Sequence, residues 1–90
     1  MSEKEMRELD VEIAKLVFGL VYSNFQWFAG DHGPSVYHKL PKYSEDPAAA
    51  MQVFLACWKL DSGSLSEWLK LNEPTPENIC RKAKSMFQKV

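Results

Sequence analysis

The sequence predicts a mainly α, compact single domain spanning residues 1–90, with three to four helices and at most a short β-hairpin; a reduced α/β sandwich is the alternative. Three observations lead there. Met6, Leu9, Ile13, Leu16, Val17 and Leu20 recur at the 3–4 spacing that lays one apolar stripe along a helix, and so do Met51, Phe54, Leu55 and Trp58, and Ile79, Cys80, Ala83, Met86, Phe87 and Val90. Each stripe follows helix-start residues. With 46% hydrophobic and 12% aromatic residues in 90, the chain is too apolar for disorder and too short for two cores.

The first helix opens on Ser2 with Glu5 three residues on, a capping-box pattern in which side chains satisfy exposed backbone donors. Gly19 is its expected terminator, and Leu20-Val21-Tyr22 either extends it or starts a short strand. Residues 22–43 differ in kind. Tyr22, Phe25, Trp27, Phe28, Tyr37 and Tyr43 crowd a connection broken by the turn chemistry of Gly30-Asp31-His32-Gly33-Pro34. So aromatic a stretch must fold back onto the helices or into a partner.

For the second helix, Ser44 is the expected N-cap, with Glu45 and Asp46 in a first turn that favours acids and Pro47 early enough to be tolerated. Ala48-Ala49-Ala50 permits close backbone approach, and Val53 and Cys57 widen the apolar face, so this helix is expected to be central. Asp61-Ser62-Gly63 stops it. Ser64-Leu65-Ser66-Glu67 then repeats the capping-box pattern before Trp68-Leu69-Lys70-Leu71. No Val, Ile or Thr lies between Lys59 and Pro74, which favours a short helix over a hairpin strand. The last helix starts with Thr75 as cap and Pro76 at its first position, and carries Arg81, Lys82, Lys84 and Lys89 outward.

Eleven basic against twelve acidic residues give a formal charge of −1, so nothing draws the chain as a whole to nucleic acid or anionic lipid. No apolar run approaches the length of a membrane span, and the charged Met1–Glu5 start predicts no signal peptide. Cys57 and Cys80 fall inside apolar helical patterns, without CxxC or Cys/His spacing; buried free thiols are expected, and neither metal nor cofactor is implied.

Three pieces together resemble the phage ABA-sandwich domain family of small phage and prophage proteins. They are Glu12-Ile13-Ala14-Lys15-Leu16-Val17-Phe18-Gly19, Leu40-Pro41-Lys42-Tyr43-Ser44-Glu45-Asp46-Pro47-Ala48-Ala49-Ala50, and Pro76-Glu77-Asn78-Ile79-Cys80-Arg81-Lys82-Ala83. The stretch from Tyr43 to Ala50 is the most specific. The family has a longer strand-forming stretch before its last helix, so any sheet here must be reduced. The resemblance implies a small phage-encoded accessory protein of the bacterial host cytoplasm, and it brings no catalytic residue set.

Several chemistries compete for the remaining residues. His32 and His38, with Asp31 to orient an imidazole, are the only candidate bases, but Asp-His-Gly-Pro is ordinary turn sequence. The same three lack a further ligand for a metal. Residues 64–71, a turn and a basic helix bearing Asn78, Arg81, Lys82 and Lys84 could imitate a helix-turn-helix DNA binder, against an acidic overall balance.

The strongest reading is ligand binding. Trp27, Phe28 and Tyr43 offer faces for a planar group; His32, His38, Lys39, Lys42 and Arg81 can pair with phosphates or carboxylates, and Asp31 can accept from ribose hydroxyls. The bland alternative is that these rings complete a small core. Met51, Val53, Cys57 and Trp58 are the expected oligomer interface, and a homo-oligomer is the expected state. The expectation is thus a non-enzymatic phage or prophage binding protein that sequesters a nucleotide-like host immune signal. A protein-binding inhibitor or structural adaptor is the alternative.

Overall fold

Helix α1 (Glu3–Leu16) leads into a three-stranded meander, β1 (Val21–Ser23), β2 (Gln26–Phe28) and β3 (Ser35–Tyr37), followed by α2 (Pro47–Leu60), α3 (Ser62–Leu71) and α4 (Pro76–Gln88). The structure is a computed structural model and describes residues 2–30, 33–37 and 39–88. The mainly α expectation holds, with the short hairpin enlarged by a third strand.

Local chemistry sets each boundary. Ser2 Oγ accepts the Glu5 N–H at 3.2 Å and starts α1. Gly19, at φ +64°, turns the chain after it, and the Leu20 N–H reaches back to the Ala14 carbonyl at 3.0 Å. Val21 therefore begins a strand rather than extending the helix. In the β1–β2 hairpin Val21 pairs with Phe28, Tyr22 with Trp27 and Ser23 with Gln26. That register leaves Asn24 and Phe25 as a two-residue loop with positive φ at both positions, the signature of a type I′ turn. β3 runs antiparallel to β2 with Trp27 opposite Tyr37 and Phe28 opposite Ser35, irregular between Trp27 and Phe28. A Cβ on Gly33 would collide with the Ala29 carbonyl, so only glycine fits that turn.

Two helix starts differ from expectation. Asp46, not Ser44, caps α2: its carboxylate accepts the Ala48 N–H at 3.0 Å and Pro47 takes the first helical position. Ser44 is buried instead, its N–H donated to Asp10 Oδ1 at 2.9 Å. α3 begins at Ser62 rather than after Ser64, because Asp61 serves both helices. Its N–H donates to the Cys57 carbonyl at 3.0 Å, and its carboxylate accepts the Ser64 N–H at 3.1 Å. Residues 62–71 are helical, so the hairpin alternative falls. At α4, Thr75 Oγ1 accepts the Asn78 N–H at 3.2 Å, as expected of the cap.

The core is a three-helix packing in which α4, rather than α2, is central: its main contacts are with α2 and α1. Ile79, Cys80, Ala83 and Met86 of α4 meet Leu9, Ile13 and Ala14 of α1 and Ala49, Ala50, Val53 and Cys57 of α2 in one buried cluster. Alanine on all three helices lets their backbones approach closely. Leu65 anchors α3, and Leu20, Trp27 and Tyr43 join the sheet and its flanks to this core. Val53 and Cys57 are completely buried. That corrects their expected place in an oligomer interface: they point toward α4, while Met51 and Trp58 stay on the outer face.

Candidate functional site

The turn at 43–45 is pinned to the first half of α1. Asp10, only 2% exposed, has both carboxylate oxygens engaged: Oδ1 by the Ser44 N–H, and Oδ2 by Arg7 Nη1 at 2.9 Å. Arg7 Nη2 in turn donates to Glu45 Oε2. This hydrogen bond, with Asp10 nearby, holds the guanidinium above its ordinary pKa. A buried carboxylate needs such partners, because an unpaired charge there would be costly.

The pinning leaves a cleft of about 410 Å³ between α1, the first hairpin and the segment after β3. Glu3, Arg7, Asp10 and Val11 line the α1 side, Tyr22 and Trp27 the sheet side, and Lys39, Leu40 and Lys42 the third wall. Tyr22 is 52% exposed and lies tilted on Trp27, ring centroids 5.1 Å apart. Among the described residues, Lys39 and Lys42 have no ion-pair partner, whereas Arg7 is held by Asp10 and Glu45. The cleft thus offers one accessible aromatic face and two available cations beside a fixed ion-paired wall.

The structure brings together Trp27, Lys39 and Lys42 of the expected ligand set. Trp27 contributes little surface to it, since it is 7% exposed. Tyr43 is corrected as a stacking surface: it is 1% exposed and its ring stacks on Phe18 at 5.3 Å. Burial pushes its phenol well above the ordinary range. Phe28 is half-buried in β2 and does not line the cleft. Arg81 lies elsewhere, on α4, paired with Glu77 at 3.6 Å and lining two shallow grooves beside α1 and α3. Asp31, His32 and His38 lie outside the described residues, and the base and metal readings that needed them lie there too.

Sequence reading missed Glu3, Arg7, Asp10, Val11, Tyr22 and Leu40 as lining residues. One signal was present: Asp10 directly follows Leu9 on the apolar side of the α1 stripe, where a carboxylate needs a partner. The helix-turn-helix reading gains little from the geometry. α4 packs its main face on α1 and α2, Lys84 pairs with Glu12 at 2.8 Å, and Lys82 donates to Ser64 Oγ at 3.2 Å.

Both cysteines are free and fully buried. Desolvation pushes the Cys57 thiol up to about 11 and the Cys80 thiol up to about 12, which leaves them protonated and unreactive at neutral pH. Among the described residues, no group of three or more His, Cys, Asp or Glu could hold a metal ion, and no helix is long and apolar enough to cross a membrane. No family model, curated protein or solved structure matches this chain.

Proposed function

We propose that the chain is a non-enzymatic binding protein of phage or prophage origin, which sequesters a small nucleotide-like molecule in the cleft beside α1. The observation that carries the reading is that Tyr22, Lys39 and Lys42 face one open space next to Trp27. A planar ring stacks on the exposed Tyr22 face, and a phosphate or carboxylate takes hydrogen bonds from the two lysines. Arg7 and Asp10, already tied to each other, keep the α1 wall rigid, so little ordering cost falls on binding. The phage origin rests on the Tyr43–Ala50 resemblance and goes with action in the bacterial host cytoplasm.

Native mass spectrometry of the chain purified from bacteria tests the reading. The expected spectrum carries an added mass of a few hundred daltons, lost on heating. Tyr22→Ala and Lys42→Ala each lower affinity for the released compound by roughly tenfold, since ring stacking contributes about 1–3 kcal/mol and a hydrogen bond to a charged group about 1.5–3 kcal/mol. Lys42 is exposed and its change leaves the core untouched, whereas Tyr22→Ala also uncovers Trp27, so its fold is checked by circular dichroism. Unchanged affinity in both variants would sink the site.

A further inference from the structure

The outer face of α2 is built as a seam. Ala48, Met51, Leu55 and Trp58 follow one another at spacings of three, four and three, the repeat by which two helices pack along their length. All four are exposed, and the three large ones are 54%, 51% and 45% accessible. They lie opposite Ala50, Val53 and Cys57, the face that meets the core. Exposed apolar residues scattered singly need no explanation; a continuous stripe of them on one helix does.

We propose that this seam pairs with the α2 seam of a second copy, antiparallel about a two-fold axis near residue 53. Two kinds of complementarity select this occupant. Turning the helix over about that axis sets small Ala48 against large Trp58, and Met51 against Leu55, so bulk faces space along the seam. It also sets Lys59, the one charged residue of α2, against the acidic turn Glu45-Asp46 of the other copy. A parallel pairing would instead stack Trp58 on Trp58 and Lys59 on Lys59, with the helix dipoles aligned unfavourably. A two-fold contact of this kind is self-complementary and closes at two. A contact confined to one helix face is at the small end of specific interfaces, so the pairing is expected to depend on concentration.

Light scattering coupled to gel filtration reads the state directly. At about 100 µM, a concentration at which weak specific contacts are populated, the protein is expected at twice its chain mass of 10.3 kDa. Leu55→Glu, a change at an exposed position, is expected to return it to a single chain mass with its helical circular dichroism retained. Oxidative cross-linking then tests the direction: Gln52→Cys, next to the axis, links to its own copy, whereas Ala48→Cys does not. The buried native thiols take no part. A single chain mass for the unaltered protein at that concentration overturns the pairing, as does a dimer that survives Leu55→Glu. Cross-linking by Ala48→Cys but not Gln52→Cys overturns the antiparallel arrangement. Ligand binding in the cleft lies on other residues, so each reading can fail without the other.

Discussion

At the tip of the β1–β2 hairpin, Asn24 and Phe25 hold φ of +51° and +61°, a region that suits asparagine tolerably and a phenylalanine poorly. Glycine is the usual second residue of such a turn, and the Phe25 side chain gains nothing from the fold, being 85% exposed. Phe25→Gly should therefore stabilise the chain by about 0.5–1 kcal/mol, somewhat offset by the extra freedom of glycine when unfolded. Urea unfolding monitored by tryptophan fluorescence checks this, and a lower midpoint would mean that the ring holds something in place. The aromatic character of this segment is legible in the sequence, but its turn is not: Asn-Phe lacks the glycine that marks a type I′ loop. Asp10 was hidden for a related reason. Arg7, three residues before it on α1, is a partner that spacing alone suggests, but the Ser44 N–H comes from a turn 34 residues away, and no local pattern links a helical carboxylate to a distant N–H.

Helices and sheet are held with different strength. α4 is clamped between α1 and α2, whereas the backbone of the meander approaches the helices sparsely and joins them mainly through Leu20, Trp27, Tyr37 and Tyr43. Hydrogen exchange should separate them. Amides of Ile79–Met86 are expected to exchange only through global unfolding, and those of β1 and β3 at least tenfold faster through local opening. Equal protection would show that the sheet is an integral part of the cooperative unit. The same contrast explains what sequence reading could reach. All helices carry periodic apolar residues and recognisable caps, so their existence was legible, α3 included. Their starts were less so where two capping residues compete. Ser44 and Asp46 both suit the role, and the choice falls to Asp46 because burial beside Asp10 claims Ser44. The strands, three residues each, are too short for an alternation to register.

At the scale of the whole molecule, alkaline pH is the expected weakness. The buried thiols of α2 and α4 sit at about 11 and about 12 in the fold, against an ordinary value of 9.0. Below pH 9 the thiols are protonated in folded and unfolded chain alike and stability is unaffected by them. As pH rises beyond 9 the unfolded chain releases these protons first. Stability then falls by up to about 1.4 kcal/mol per pH unit for each thiol until the folded values are passed. The buried Tyr43 phenol adds to the same trend at still higher pH. Urea midpoints from pH 8 to 10.5 should show this fall, and a Cys57→Ala/Cys80→Ala variant should show a shallower one; an identical slope would remove the thiols as its cause.

The candidate site was half legible at this scale. Lys39 and Lys42 stood out as cations among aromatics, and the fold brings them beside Trp27. Arg81 was placed with them only by chemistry, since a sequence does not say which side of α4 faces the sheet.

Among the described residues, the order β1–β2–β3 leaves two open edges, on β1 and β3. None of the nine strand residues is charged, so the usual guard of lysines against strand addition is missing. Brevity replaces it: an edge of three residues presents too few free amides and carbonyls to template another chain. Insertions that lengthen either strand would turn this small sheet into a nucleus for aggregation, which makes strand length, more than strand composition, the constraint on how these segments can vary.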